Sequence, residues 1–158
     1  MKSQLLTKKS RGFTLIEILV VIGIIAVLAV IVIVAINPAR QFAQARNTQR
    51  VSNINSILNA VGQNIADNKG IFTCAGANTL PVNTASSSIL TGTAGANQVD
   101  LSCLTPIYIP SFPTDPTAAS GNDTGYMISV DGAGRVMVCA PASNEVVLGN
   151  PGAICIKR

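Results

Sequence analysis

The chain has 158 residues, 48% of them apolar, and a formal net charge of +4. That length allows one modest globular domain beside any membrane segment. It contains no histidine and no tryptophan; lacking histidine, it cannot run Ser-His-Asp or Cys-His chemistry and loses the commonest transition-metal ligand, so the composition argues against an enzyme and calls for no cofactor.

Residues 1–11 are basic, with Lys2, Lys8, Lys9 and Arg11 and no acid. Residues 13–36, FTLIEILVVIGIIAVLAVIVIVAI, then carry a single charge, Glu17. At about 1.5 Å per residue a helix of that length reaches about 36 Å, enough to cross a hydrocarbon core of about 30 Å with some tilt. No polar face is present to suit a soluble core. The basic flank is expected to stay in the cytoplasm and to send the rest of the chain outside, although Arg40, Arg46 and Arg50 weaken the asymmetry. The leader also accounts for the whole net charge. From residue 13 onward seven basic residues balance seven acidic ones, so the high isoelectric point implies no nucleic acid partner.

Glu17 is out of place in this span. A carboxylate in hydrocarbon costs at least about 2.5–3.5 kcal/mol on insertion scales, so it needs a use. Either it reaches back to the headgroup level or it awaits a cation inside an apolar assembly. A secretory signal would place its small-residue cleavage site after the apolar run. Here the only such junction, Gly12–Phe13, comes before it.

The run RGFTLIEILVVIGII closely resembles the class III leader of the type IV pilins, a family that includes the pseudopilins of type II secretion and competence systems. Gly12, Phe13, Thr14, Leu15 and Glu17 match every position of that motif. The resemblance implies cleavage after Gly12 by a prepilin peptidase, methylation of the new Phe13 amine, and pairing of that amine with Glu17 of a neighbouring subunit. Either charge alone would be stranded at a cost of several kcal/mol. It further implies partners in other copies of the chain, minor pilins and an assembly machinery. The precursor would be a single-pass protein of the cytoplasmic membrane, and the product an extracellular filament. A pseudopilin of a secretion or DNA-uptake system is the alternative within the family. A membrane-anchored binding domain that never polymerises is the alternative outside it.

Beyond the span, Asn37-Pro38 predicts a helix break or the first turn of a new helix, and Gly23 is a second soft point. Over residues 39–66, Phe42, Ala45, Ile54, Ile57, Leu58, Val61 and Ile65 recur at spacings of three and four, an amphipathic stripe. Arg40, Arg46, Gln49, Arg50, Asn53, Asn59 and Gln63 lie between them, and Gly70 supplies a stop signal.

Residues 71–105 are small and polar and read as an exposed loop. Pro110, Pro113 and Pro116 forbid a central strand. Residues 126–130 and 135–139 form two β-type runs joined by Asp131-Gly132-Ala133-Gly134, a hairpin. Further strands are expected over residues 145–148 and 153–156. Cys74, Cys103, Cys139 and Cys155 include no CxxC, so a zinc ribbon is not expected. An even number in an oxidising compartment argues for two disulfides. Of three connectivities, Cys74–Cys103 with Cys139–Cys155 is favoured because each closes a local loop. Asp115, Asn122, Asp123 and Asp131 gather oxygen atoms in a region where major pseudopilins bind calcium, but no calcium-loop pattern is present and no metal is expected. The basic residues after Ala66 are only Lys69, Arg135, Lys157 and Arg158, without interleaved aromatics, so nucleic acid is again not expected.

The expected architecture is therefore α+β and pilin-like: a leader over 1–12, a polymerisation helix over 13–36, an amphipathic helix over 37–69, and a small disulfide-tied domain over 70–158 whose antiparallel sheet packs on the helix.

Overall fold

The computed structural model describes residues 12–74, 80–81 and 86–158. The basic leader and parts of the 71–105 loop lie outside the described residues. The chain forms two compact units, one ending at Pro38 and the other spanning Ala39–Arg158.

In the first unit, α1 runs over Leu15–Ile36. Its 22 residues make a helix of about 33 Å. It buries none of its side chains within the chain; even the most covered of its large apolar residues, Val21, is 48% exposed. A helix apolar on every side, with none of its residues buried, needs a membrane or other helices around it. The helix ends at Asn37, which adopts a left-handed conformation with φ 48°. The next residue, Pro38, opens α2, where its missing amide donor costs nothing.

In the second unit, α2 covers Pro38–Asp67. It closes through Lys69 and Gly70, both at positive φ, with the Gly70 amide donating to the Ile65 carbonyl at 2.8 Å. Five strands follow: β1 Ser87–Leu90, β2 Gln98–Asp100, β3 Asp123–Val130, β4 Val136–Ala140 and β5 Ile154–Lys157. Their order in the sheet is β2-β1-β3-β4-β5. The sheet is mixed. β3 pairs antiparallel with β4 and β4 with β5, but β1 lies parallel to β2, Ser88 opposite Gln98 and Leu90 opposite Asp100. The expected antiparallel sheet is corrected in this respect. The 71–105 stretch is likewise not all loop, because Ile89, Val99 and Leu101 have apolar side chains to bury and carry their polar neighbours into strands.

The core lies between one face of α2 and the sheet. Ile54, Ile57, Leu58 and Val61 pack in one cluster with Ile89, Leu101, Leu104, Tyr126, Ile128 and Val138. The stripe is shifted at the start of α2. Phe42 is 66% exposed and Ala45 is exposed, while Ala43, Arg50 and Asn53 are buried. The expected strand over 145–148 is instead a 3₁₀ turn, Val146–Leu148. Its leading residue, Glu145, is drawn onto Arg46 and Arg50 rather than into the sheet.

Candidate processing and assembly site

The residues of the leader junction adopt a non-helical backbone at the very start of the apolar unit. Gly12, Phe13 and Thr14 precede α1, and Phe13 is 78% exposed. Gly12 is exposed as well, and Thr14 is extended, with φ −83° and ψ 151°. Helix α1 starts where it does because Thr14 caps it. The Glu17 amide donates to Thr14 Oγ1 at 3.3 Å, and the Thr14 amide donates to Glu17 Oε2 at 3.4 Å. This reciprocal capping box satisfies two of the amide donors that a helix start leaves unpaired. The Glu17 carboxylate is therefore turned back toward the junction, one residue from Phe13. The Thr-x-x-Glu spacing carries this cap in the sequence, beside the charge of Glu17. Gly23 sits within α1 in ordinary helical geometry, with open space where a side chain would be.

The other chemistry-bearing cluster lies in the second unit. Arg50 is completely buried, and its guanidinium donates to Asp115 Oδ2 through Nε at 2.7 Å and to Asp115 Oδ1 through Nη2 at 3.1 Å. Its remaining donors reach Glu145 Oε1 at 2.7 Å, Asn47 Oδ1 at 2.8 Å and Thr117 Oγ1 at 2.6 Å. Arg46 donates to the other side of the Glu145 carboxylate. Two cations thus face two carboxylates, and each carboxylate oxygen accepts at least one hydrogen bond from them, the arrangement that makes a buried pair tolerable. Asn53 completes the cluster by donating to the Tyr126 hydroxyl and the Thr114 carbonyl.

These contacts set the acidities. The Arg46 hydrogen bond, with help from Arg50, holds the Glu145 carboxyl down at about 2. Burial pushes Asp115 up, but the Arg50 guanidinium and the backbone amides of Thr117 and Ala118 more than offset it and leave it below the ordinary range. Asp131 is lowered to about 2, chiefly by the Arg135 amide. Among the described residues no three histidines, cysteines or acids gather as a metal site would need, and the four oxygen-bearing residues of this region have partners within the chain. Asp115 is occupied by Arg50, Asp123 accepts from the Gly125 amide, Asp131 accepts from the Ala133 and Arg135 amides, and Asn122 offers its backbone carbonyl to Thr91. The cysteines are joined as Cys74–Cys103 and Cys139–Cys155.

Compared with known proteins, residues 7–33 match the family model for the prokaryotic N-terminal methylation motif. No curated protein and no solved structure matches the chain. The chain thus carries the class III signal peptide of type IV pilins, and the motif marks it as a type IV pilin-like or pseudopilin substrate of prepilin peptidase.

Proposed function

We propose that the chain is the structural subunit of a type IV pilus-like surface filament. It waits as a single-pass precursor in the cytoplasmic membrane with residues 1–12 inside and the sheet domain outside. Prepilin peptidase cuts between Gly12 and Phe13, the new amine is methylated, and the apolar helices gather into the filament core with other copies, minor pilins and the assembly machinery.

The observation that carries this reading is α1 itself. A helix with no buried residue and one carboxylate, Glu17, at its first turn suits a bilayer before assembly and a bundle of its own kind after it. In that bundle the Phe13 ammonium of one copy and the Glu17 carboxylate of another offset each other's desolvation and fix the register. Apolar packing alone would tolerate slippage by a turn.

The test is to produce the full chain in cells with the assembly machinery, with and without an active prepilin peptidase, and to inspect the material sheared from the surface by electron microscopy. The reading expects filaments containing this chain only when the peptidase is active. A processed chain that stays in the membrane fraction under the same conditions would overturn it in favour of an anchored domain.

A further inference from the structure

Beyond α1, the exposed large apolar side chains among the described residues are Phe42, Val51, Ile71, Ile107, Val146 and Val147. Three of them gather at one place. Phe42 lies one turn before Arg46 on the same face of α2. Arg46 donates through Nε to Glu145 Oε1 at 2.9 Å, and Glu145 is followed directly by Val146 and Val147, which are 80% and 49% exposed. The turn that carries the valines is fixed, with the Leu148 amide donating to the Glu145 carbonyl at 3.0 Å and the Gly149 amide to the Val146 carbonyl at 2.9 Å. Phe42 and the two valines therefore flank one ion pair.

The place of this patch along α2 decides what it meets. Arg46 and Asn47 reach residues 143–145, Arg50 and Asn53 further on reach Asp115, Thr117 and Tyr126, and Asn55 and Asn59 beyond them accept from Arg158. In these hydrogen bonds the segment leading to Val146 and Val147 is the one nearest the start of α2. That start follows the end of α1 by two residues, so Phe42 stands within about 14 Å of Ile36 whatever the angle at Asn37. The 22 residues of α1 make about 33 Å of helix, which fills a hydrocarbon core of about 30 Å and leaves its ends at the headgroup layer. The patch is tethered at that layer before any other copy arrives.

We propose that in the unassembled chain Phe42, Val146 and Val147 dip into the lipid headgroup layer of the leaflet in which α1 ends, so that the domain rests on the membrane by this end. A headgroup layer requires no matching shape: it takes apolar tips a few ångströms deep and leaves charged neighbours in its polar part. Arg46, whose side chain is 34% exposed, is such a neighbour, with an apolar stem to bury and a guanidinium to keep among the phosphates. The span supplies the affinity, and the patch sets how the domain is turned while it waits. Assembly into a filament then lifts the patch off the lipid. The docking rests on the proposal that α1 crosses a bilayer before assembly.

The chain has no tryptophan, so one introduced indole reports its own surroundings. Phe42→Trp, Val146→Trp, Ile107→Trp and Ile25→Trp are each made in the full chain and placed in vesicles of phosphatidylethanolamine and phosphatidylglycerol. Quenching is measured with lipids that carry a nitroxide at the headgroup or deep in the acyl chain. Ile107 is the exposed control, next to Tyr108, whose hydroxyl lies against Asp67 at the far end of α2. The headgroup label should quench Phe42→Trp and Val146→Trp at least about twofold more than Ile107→Trp, and the deep label should quench Ile25→Trp. Quenching at residues 42 and 146 no greater than at 107, with Ile25→Trp still quenched from the deep position, would overturn the docking and leave the span standing. The same two indoles shielded from aqueous iodide only in sheared filaments would assign the patch to a second copy instead. An Ile25→Trp indole that the deep label does not reach would overturn the span and the docking with it.

Discussion

The Arg50 guanidinium donates to the Asp115 carboxylate at 2.7 Å with both side chains fully buried. It joins the middle of α2 to the proline-rich connection before β3, and through Glu145 to the turn after β4. One side chain therefore ties three segments that are distant in sequence.

Arg50→Ala strands the Asp115 carboxylate in the interior. Removing one partner of a buried pair typically costs about 3–5 kcal/mol. The full chain in detergent should lose stability of that order by urea denaturation, whereas exposed Arg135→Ala, whose ion pair with Asp131 is 60% exposed on the arginine side, should lose less than about 1 kcal/mol. Equal losses from the two substitutions would mean that the buried pair has no special weight.

Acid should act through the same cluster. Glu145 is lowered to about 2 from 4.5, and Asp115 is also lowered. A carboxyl whose folded acidity constant lies below the unfolded one stabilises the fold above the unfolded value and loses that contribution as pH falls toward the folded value. Stability should be level from neutrality to about pH 4.5 and decline between there and about pH 2. In Arg50→Gln the decline should begin from a lower plateau and be shallower. Denaturant midpoints measured across that range decide it; identical slopes in parent and variant would locate the acid sensitivity elsewhere.

The Cys139–Cys155 bridge joins directly opposed residues of β4 and of the edge strand β5, with a separation of 16 residues. Closing a loop of about 15 residues is worth about 3 kcal/mol in the chain-entropy account. Cys139→Ser with Cys155→Ser should lower stability by about that amount and raise amide exchange first in residues 154–157. Protection in β5 equal to that of the parent would show that its ladder to β4 suffices without the bridge.

At the start of α1, cap and charge can be separated. Glu17→Gln keeps an acceptor oxygen for the Thr14 amide, since glutamine also serves in a capping box, but it removes the negative charge. It should still be cleaved after Gly12, and its yield of sheared filament should fall at least tenfold. Thr14→Ala removes the threonine oxygen at a cost of about 1 kcal/mol to the helix start and should reduce that yield far less. If the two variants behave alike, the cap and not the charge is what assembly uses.

Much of this fold was legible because its signals are local. The apolar run that becomes α1, the Pro38 start of α2, and the hairpin around Asp131-Gly132-Ala133-Gly134 all follow from neighbouring residues. What was missed is what only tertiary contact decides. Ser87, Ser88, Gln98 and Asp100 give no strand signal, yet they belong to β1 and β2 because Ile89 and Val99 are buried beside them. Arg50 reads as a solvent-facing charge until Asp115 and Glu145 are brought to it from more than sixty residues away. Its one local signal is position: with Ala43, Ile54, Ile57 and Val61 it lies on the buried stripe. At the start of α1, the Thr14–Glu17 cap has a local signal in the Thr-x-x-Glu spacing, and the folded helix start shows both of its hydrogen bonds.

Trimming after Gly12 and assembly into filaments are tested most directly by the intact mass of the chain in sheared surface filaments. That mass should equal residues 13–158 plus one methyl group, lighter by four hydrogens before reduction than after. A chain that still carries Met1, found only in membranes, would contradict it.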